Sequence, residues 1–325
     1  MDDYDYTLPE SAIAQSPAEP RDSARLLAAV DDAVCHARIR DLPDLLRPGD
    51  LLVVNDTRVL PARLRLTKAS GGSVEVFLLE PSGADGPGWW ECLVRPSRKV
   101  VPGTVLYHGD VAVAVAGEVL DGGRRRVELL VEPEAHGEVP LPPYITTPLA
   151  DPERYQTVYA RRPASAAAPT AGLHLTPEVL DRCRERGIGL AAVELVVGLD
   201  TFRPVTAERP EDHVMHSEAY VVPAETWDAV QAAERVVAVG TTSVRALESA
   251  AARGELAGRT DLFIHGDYDF QVVDVLLTNF HMPRSSLLLL LAAFCGPRWR
   301  SLYETALADG YRFLSFGDAM LVGRR

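Results

Sequence analysis

Residues Val272 to Phe294 read VVDVLLTNFHMPRSSLLLLLAAF, and the fold class follows from how this stretch divides. VVDVLL is a short, β-branched and nearly continuous apolar run, the pattern of a strand buried on both faces. Ser285-Ser286 ahead of LLLLLAAF supplies hydroxyl caps for a helix. Between the two, TNFHMPRS crowds Thr278, Asn279, His281 and Arg284 into a loop whose flanks both require burial. Pro283 disfavours helix at Met282, so the loop has a sharp end. Open α/β sheets bind ligands at such a loop, where a strand's carboxyl end feeds a helix amino terminus. A plain hydrogen-bonded connection would use the same residue types.

Working outward, RVVAVGTTSVRALESAAARGE forms a second strand–turn–helix unit. The strand is Arg235 to Val239, Gly240 turns, Thr241 to Ser243 cap, and the helix runs from Val244 to Arg253 before Gly254. This is not GxGxxG, so a dinucleotide fingerprint is absent. Its hydroxyl-rich start suits a carboxylate or phosphate, although capping alone explains the same residues. Thr176-Pro177 begins a helix that ends at Arg186 before Gly187. Just upstream, the small-residue stretch Ser165 to Gly172 lets backbone approach a ligand. His174, next to a capped helix, reads most simply as a satisfied core histidine. IGLAAVELVVG is a buried strand leading into GLDTFRPV. Leu51 to Val54 is another, ending at Asn55-Asp56-Thr57-Arg58, where Asx turns are at home. Ser301 and Glu304 are spaced as a capping box. YRFLSFGDAMLV closes the chain as two strand-like runs around Gly317-Asp318, and the prolines at 17 and 20 mark the start as a wrapping arm. His213, His216 and Glu218 have donor types suited to zinc. No HExxH helix accompanies them, and a strand would turn His213 away from His216 and Glu218, so structural or substrate contacts are the better reading.

Residues 61 to 150 change texture. RLRLT, SVEVFLL, WWECLV, VAVAVAGEVL and RRRVELLV are short runs, several alternating, separated by Gly-Gly, Pro-Gly and Asp-Gly-Gly turns. The expected fold is a discontinuous, barrel-like α/β domain of residues 1–60 and 151–325, with a small all-β barrel of residues 61–150 inserted. Arg95, Arg98, Lys99 and Arg124 to Arg126 make the insert the best place for a polyanion, though charge runs are usually solvated faces. PLPPYI at 140–145 reads as a rigid linker.

The chain has 325 residues, 47% hydrophobic and 24% charged, an ordinary globular balance. No basic-then-apolar start marks a signal peptide, and no apolar run reaches the ~20 residues needed to span a bilayer. Four scattered cysteines without CxxC spacing suit reduced thiols, so a cytoplasmic protein is expected, and it is taken to be a monomer. A net charge of −13 opposes long-range capture of a nucleic acid, leaving only a local basic patch for that role.

NDTRVLPARL, PLPPYI, ERYQTVYA, AAPTAGLHLT, TFRPV, HVMHSE, AVGTTSVRALE, LLTNFH-x-P and YRFLSFGDAML, in this order along nearly the whole chain, resemble the S-adenosylmethionine:tRNA ribosyltransferase-isomerase family of queuosine biosynthesis. The resemblance implies that S-adenosylmethionine donates its ribose to the aminomethyl group of a 7-deazaguanine (preQ1) in tRNA, at the anticodon region, releasing adenine and methionine without a metal. On that footing His281, His174 and Asp56 are expected to move protons. Thr170, Gly172, Thr241, Thr242, Arg245, Asn279 and Ser285 are expected around the co-substrate. Arg58, His213, His216, Glu218 and Asp318 are expected near the acceptor. Three departures stand out: LVVGLDTF places Val196 and Asp200 where the family usually has histidine and glycine, GDYDF replaces PGYxF, and Leu175 replaces a bulkier aromatic. They leave open a paralogue acting on a free deazapurine or small amine, and a catalytically silent nucleoside- or RNA-binding protein.

Overall fold

The computed structural model describes residues 1–31, 33–82, 86, 88–198, 205–215 and 217–325. His216 and Asp200, with most of the GLDTFRPV loop, lie outside them. The chain forms two compact units, one of residues 1–58, 142–162 and 168–325, the other of 59–141 and 163–167.

The first unit is built on nine strands in the order Ala257–Thr260, Glu218–Val221, Gly189–Leu195, Asp50–Asn55, Arg235–Val239, Val275–Asn279, Ala319–Gly323, Arg25–Ala29 and Cys35–Arg38. The four central strands from Gly189–Leu195 to Val275–Asn279 run parallel. Ala319–Gly323 then pairs antiparallel to Val275–Asn279 and parallel to Arg25–Ala29. Strands Asp50–Asn55, Val275–Asn279 and Ala319–Gly323 are buried along their whole length, which accounts for their continuous apolar sequences.

The unit around Val275–Asn279 has the form read from sequence, with two differences: the strand starts three residues after Val272, and it takes in Thr278 and Asn279, which were expected in the loop. The strand begins at Val275 because the Gln271, Val272 and Val273 N–H groups all donate to the buried carboxylate of Glu248. Leu-rich Ser286–Cys295 is the following helix, capped by Ser285, whose Oγ accepts from Leu288 N at 3.2 Å. The capping box expected at Ser301 and Glu304 does not form. The helix there is Arg298–Ala308, and Ser301 Oγ bonds back to the Arg298 carbonyl from inside it. Likewise YRFLSF gives one isolated bridge, Phe313 to Ile13, and not a strand.

In the second unit six strands close on themselves: Arg63–Lys68, Ser73–Pro81, Trp89–Arg95, Arg124–Leu129, Val111–Val119 and Val105–His108, the last pairing back to the first. Alternate residues such as Leu64, Leu66, Val74, Val76 and Val94 fill the interior. The basic run is not a free surface. Arg125 points inward and donates to the Val100 carbonyl, while Arg124 pairs with Glu91 at 2.8 Å. Among the described residues no helix is long and apolar enough to cross a membrane.

Candidate active site

Because four neighbouring strands are parallel, their carboxyl ends share one edge of the sheet. That edge carries Val196 to Gly198, Asn55-Asp56, Gly240 to Ser243, and Asn279 to His281. The chain moves from Asp50–Asn55 to Gly189–Leu195 on one side, then to Arg235–Val239 on the other, making a topological switch point beside Asn55-Asp56 and Gly240. Antiparallel Ala319–Gly323 brings Asp318 to the same edge, next to Asn279. Asn55 ties the edge together: its side chain exchanges hydrogen bonds with the Leu195 backbone at 3.0 and 3.3 Å and accepts from Thr57 N.

Asn279 is the hub on one side. Its amide oxygen accepts from Thr170 Oγ1 at 2.9 Å, and its nitrogen lies 3.1 Å from His174 Nε2. With the amide oriented this way, His174 Nε2 is the acceptor, so its proton sits on Nδ1. Burial lowers the His174 pKa to about 4, only partly opposed by the Asp318 charge. The imidazole is therefore neutral near pH 7.

His281 is fixed by its surroundings. Its Nε2 is 3.0 Å from Thr278 Oγ1, its N–H donates to Tyr303 Oη at 2.8 Å, and Tyr6 Oη donates to its carbonyl. Tyr6, Tyr303, Phe280 and Phe313 pack around the loop at centroid distances of 4.7 to 6.2 Å. Burial lowers the His281 pKa to about 3. Two non-glycine residues with positive φ flank it, Arg284 (55°) and Leu314 (68°). Each is held by two backbone bonds, and such strain gathers where a site is pre-shaped. A cavity of about 30 Å³ opens among Tyr144, Thr170, Asn279, His281, Ser285 and Leu314. That is room for about one water.

The turn Thr170–His174 packs over this edge, with Ala171 against Gly240. The helix beyond Gly240 starts at Thr241, three residues earlier than its cap cluster suggested, and no side chain caps it. Ser243 Oγ bonds back to the Val239 carbonyl at 2.8 Å. Thr242 is only 9% exposed, and its Oγ1 has no hydrogen-bond partner among the described residues. Free backbone N–H groups and an unsatisfied hydroxyl at a helix start make a receptor for an anion.

The other expected residues are held by protein contacts. Arg245 is buried and pairs with Glu218, whose other oxygen accepts from Gly198 N at 3.0 Å. These two residues, expected at different ligands, pair with each other, and Arg245 Nη2 stays buried without a hydrogen-bond partner among the described residues. Asp318 accepts from Arg25 N and Arg312 N at 2.9 and 2.8 Å, anchoring backbone at the edge. Ser285 spends its hydroxyl on Leu288 N and the Met282 carbonyl. Arg58 pairs with Glu153, and His213 stacks edgewise on Phe263 at 5.2 Å. No group of three or more metal-binding side chains occurs among the described residues. Gly172 is small for a protein reason: a methyl group there would stand 2.0 Å from Tyr159 Oη. Arg21, read from sequence only as part of the arm, donates to the Gln156, Leu173 and Glu153 carbonyls at 2.8 to 2.9 Å and so holds the Thr170–His174 turn in place. An arginine beside prolines gave no sequence signal for this.

The family described as Queuosine biosynthesis protein matches residues 1–322. Curated relatives include the S-adenosylmethionine:tRNA ribosyltransferase-isomerase of Thermus thermophilus, 51% identical over 99% of both chains. The protein of that name from Synechococcus elongatus is 51% identical over 99% of this chain and 95% of its own length. Among solved structures, the crystal structure of S-adenosylmethionine tRNA ribosyltransferase from Thermotoga maritima is 36% identical, covering 98% of this chain and 99% of that one, with a TM-score of 0.57.

Proposed function

The chain belongs to the queuosine biosynthesis protein family, and from that premise we propose that it is an S-adenosylmethionine:tRNA ribosyltransferase-isomerase. It transfers and isomerises the ribosyl moiety of S-adenosylmethionine onto the 7-aminomethyl group of preQ1-modified tRNA. The products are epoxyqueuosine-tRNA, adenine and methionine. The observation that carries this reading is the convergence of Asp56, Gly240 to Thr242, and Asn279 to His281 on one sheet edge, in a chain matched along nearly its whole length.

A sulfonium acidifies the adjacent C5′ hydrogens, so a positioned neutral base can begin ring opening and adenine loss. His174 and His281 are neutral by burial, the form a base requires. A low pKa makes either imidazole a weak base but a strong acid once protonated, suited to passing the proton to departing adenine. The uncapped helix start at Thr241-Thr242 supports a place for the methionyl carboxylate. Arg245 holds Glu218 with one nitrogen and keeps Nη2 unpartnered among the described residues. The cavity beside His281 is far smaller than the co-substrate, so it takes only a small part of it and the remainder lies along the edge. In this reading the enzyme is a cytoplasmic monomer that needs no metal and meets tRNA at the anticodon region.

The test is incubation with S-adenosylmethionine and preQ1-tRNA, reading nucleosides by mass spectrometry. Adenine and methionine release with an epoxycyclopentane-bearing base is expected. Turnover with a free deazapurine or small amine alone would establish the paralogue reading instead, and release of nothing would point to a binding protein.

A further inference from the structure

The α/β unit carries a second hollow, an open groove of about 560 Å³ bordered by Val54, Asp56, Tyr159, Arg161, Arg184 and the start of strand Gly189–Leu195. Its floor is apolar. Leu190 and Ala192 pair in register with Leu52 and Val54, and Leu190 to Ala192 remain only half-buried, although their strand lies inside the sheet. Leu190 and Ala192 pack against the core of the unit and stay partly accessible, so they give the groove an apolar wall.

One end of the groove is acidic. Asp56 is 7% exposed, and burial together with the Glu194 charge raises its pKa above the usual carboxylate range. Its ion-pair partner is Arg161, at 3.7 Å, too long for a hydrogen bond, with a side chain 80% exposed. Glu194 is itself held by Arg162 at 2.9 Å. Tyr159 stands beside Asp56 with its hydroxyl screened from solvent over Gly172, unpartnered among the described residues. Burial and the Asp56 charge both hold that phenol protonated. A carboxylate with a loose, solvated partner is a receptor for a better cation, because a desolvated pair is stronger than one in water.

We propose that this groove receives the acceptor base, with its ring on Leu190 and Ala192 and its primary ammonium against Asp56. The inference rests on the function proposed above and assigns the half of the site that the cavity at His281 does not supply. Tyr159 walls the groove beside Asp56, while Arg161 and Arg184 at the rim meet flanking phosphates. Asp56 also prepares the nucleophile. It takes one proton from the ammonium, so an N–H bond breaks, an O–H bond forms, and the nitrogen lone pair is freed with no other reactant. The Thr170–His174 turn borders both places, giving Thr170 to the cavity and Gly172 to Tyr159.

The decisive measurement is equilibrium binding, without S-adenosylmethionine and at fixed salt, of tRNA bearing 7-aminomethyl- or 7-cyano-7-deazaguanine. The nitrile keeps the ring and the phosphates but lacks the cation. The wild-type protein is expected to prefer the amine about tenfold or more, Asp56→Asn to lose that preference while binding the nitrile unchanged, and Arg161→Gln to widen it by removing the competing cation. Arg161 is exposed, so its variant reads out even if Asp56→Asn folds poorly. Equal binding of both tRNAs by wild type, retained preference in folded Asp56→Asn, or no widening in Arg161→Gln overturns the proposal. Adenine release by wild type on aminomethyl-tRNA is scored separately, so the assignment of this groove and the function itself fail by different results.

Discussion

His281 and His174 are buried imidazoles, one bonded to Thr278 and the other to Asn279, and their burial has a measurable signature. Both folded pKa values, about 3 and about 4, lie below the ordinary 6.5. The unfolded chain therefore binds more protons, and the stability each histidine contributes is fully present above about pH 6.5. It is lost as pH falls towards about 4, at about 1.4 kcal/mol per pH unit for each histidine across that window. A melting series in buffers from pH 7 to 4.5 should show this slope, and His281→Asn should reduce it by one proton. The same variant tests catalysis. Asparagine can still bond Thr278, so the loop should lose no more than roughly 0.5–1.5 kcal/mol, while loss of an acid–base group costs ~10²–10⁴-fold in rate. If His281→Asn turns over near the wild-type rate, His174 becomes the stronger candidate. At this scale residue types were legible and partners were not. His174 meets Asn279 across 105 positions, and Arg245 meets Glu218 across 27, which only strand order determines.

The helix Thr241–Arg253 shows why elements were easier to read than their ends. Its apolar period marked its body, but Ser243, expected as a cap, turns back to Val239 and leaves the start uncapped. Since Thr242 Oγ1 bonds nothing among the described residues, Thr242→Val should leave the melting temperature unchanged while weakening S-adenosylmethionine binding about tenfold, as calorimetry would read. A fall in stability with unchanged affinity would make the hydroxyl structural. The Thr170–His174 turn gives a complementary expectation. Gly172→Ala drives a methyl into Tyr159 Oη, so it should destabilise by about 1–3 kcal/mol, and removing that oxygen with Tyr159→Phe should recover much of the loss in a double-mutant cycle. The early end assigned to VVDVLL has its own cause: Glu248, a helix residue 24 positions away from Val272, takes the N–H groups that a longer strand would have used.

For the whole molecule, the alternation of buried strands and helices made the α/β class legible, and the Gly-rich alternating runs made the barrel legible. Strand order was not, because consecutive buried strands of similar composition can be ordered in several ways. That order decides the site, since only four parallel neighbours bring Asp56, Gly240 and Asn279 to one edge. It also decides how the protein can be made. Ala319–Gly323 follows the other strands in the chain yet lies inside the sheet, between Val275–Asn279 and Arg25–Ala29. During vectorial synthesis Arg25–Ala29 must wait for a neighbour encoded nearly three hundred codons later, with Leu26 and Leu27 exposed meanwhile. Such long-range pairing is slow and leaves nascent chains prone to aggregation. A nascent chain stalled before residue 319 should therefore remain protease-sensitive and chaperone-bound, however much of the sheet has already emerged, and release of the last strand should convert it to a resistant form in one step.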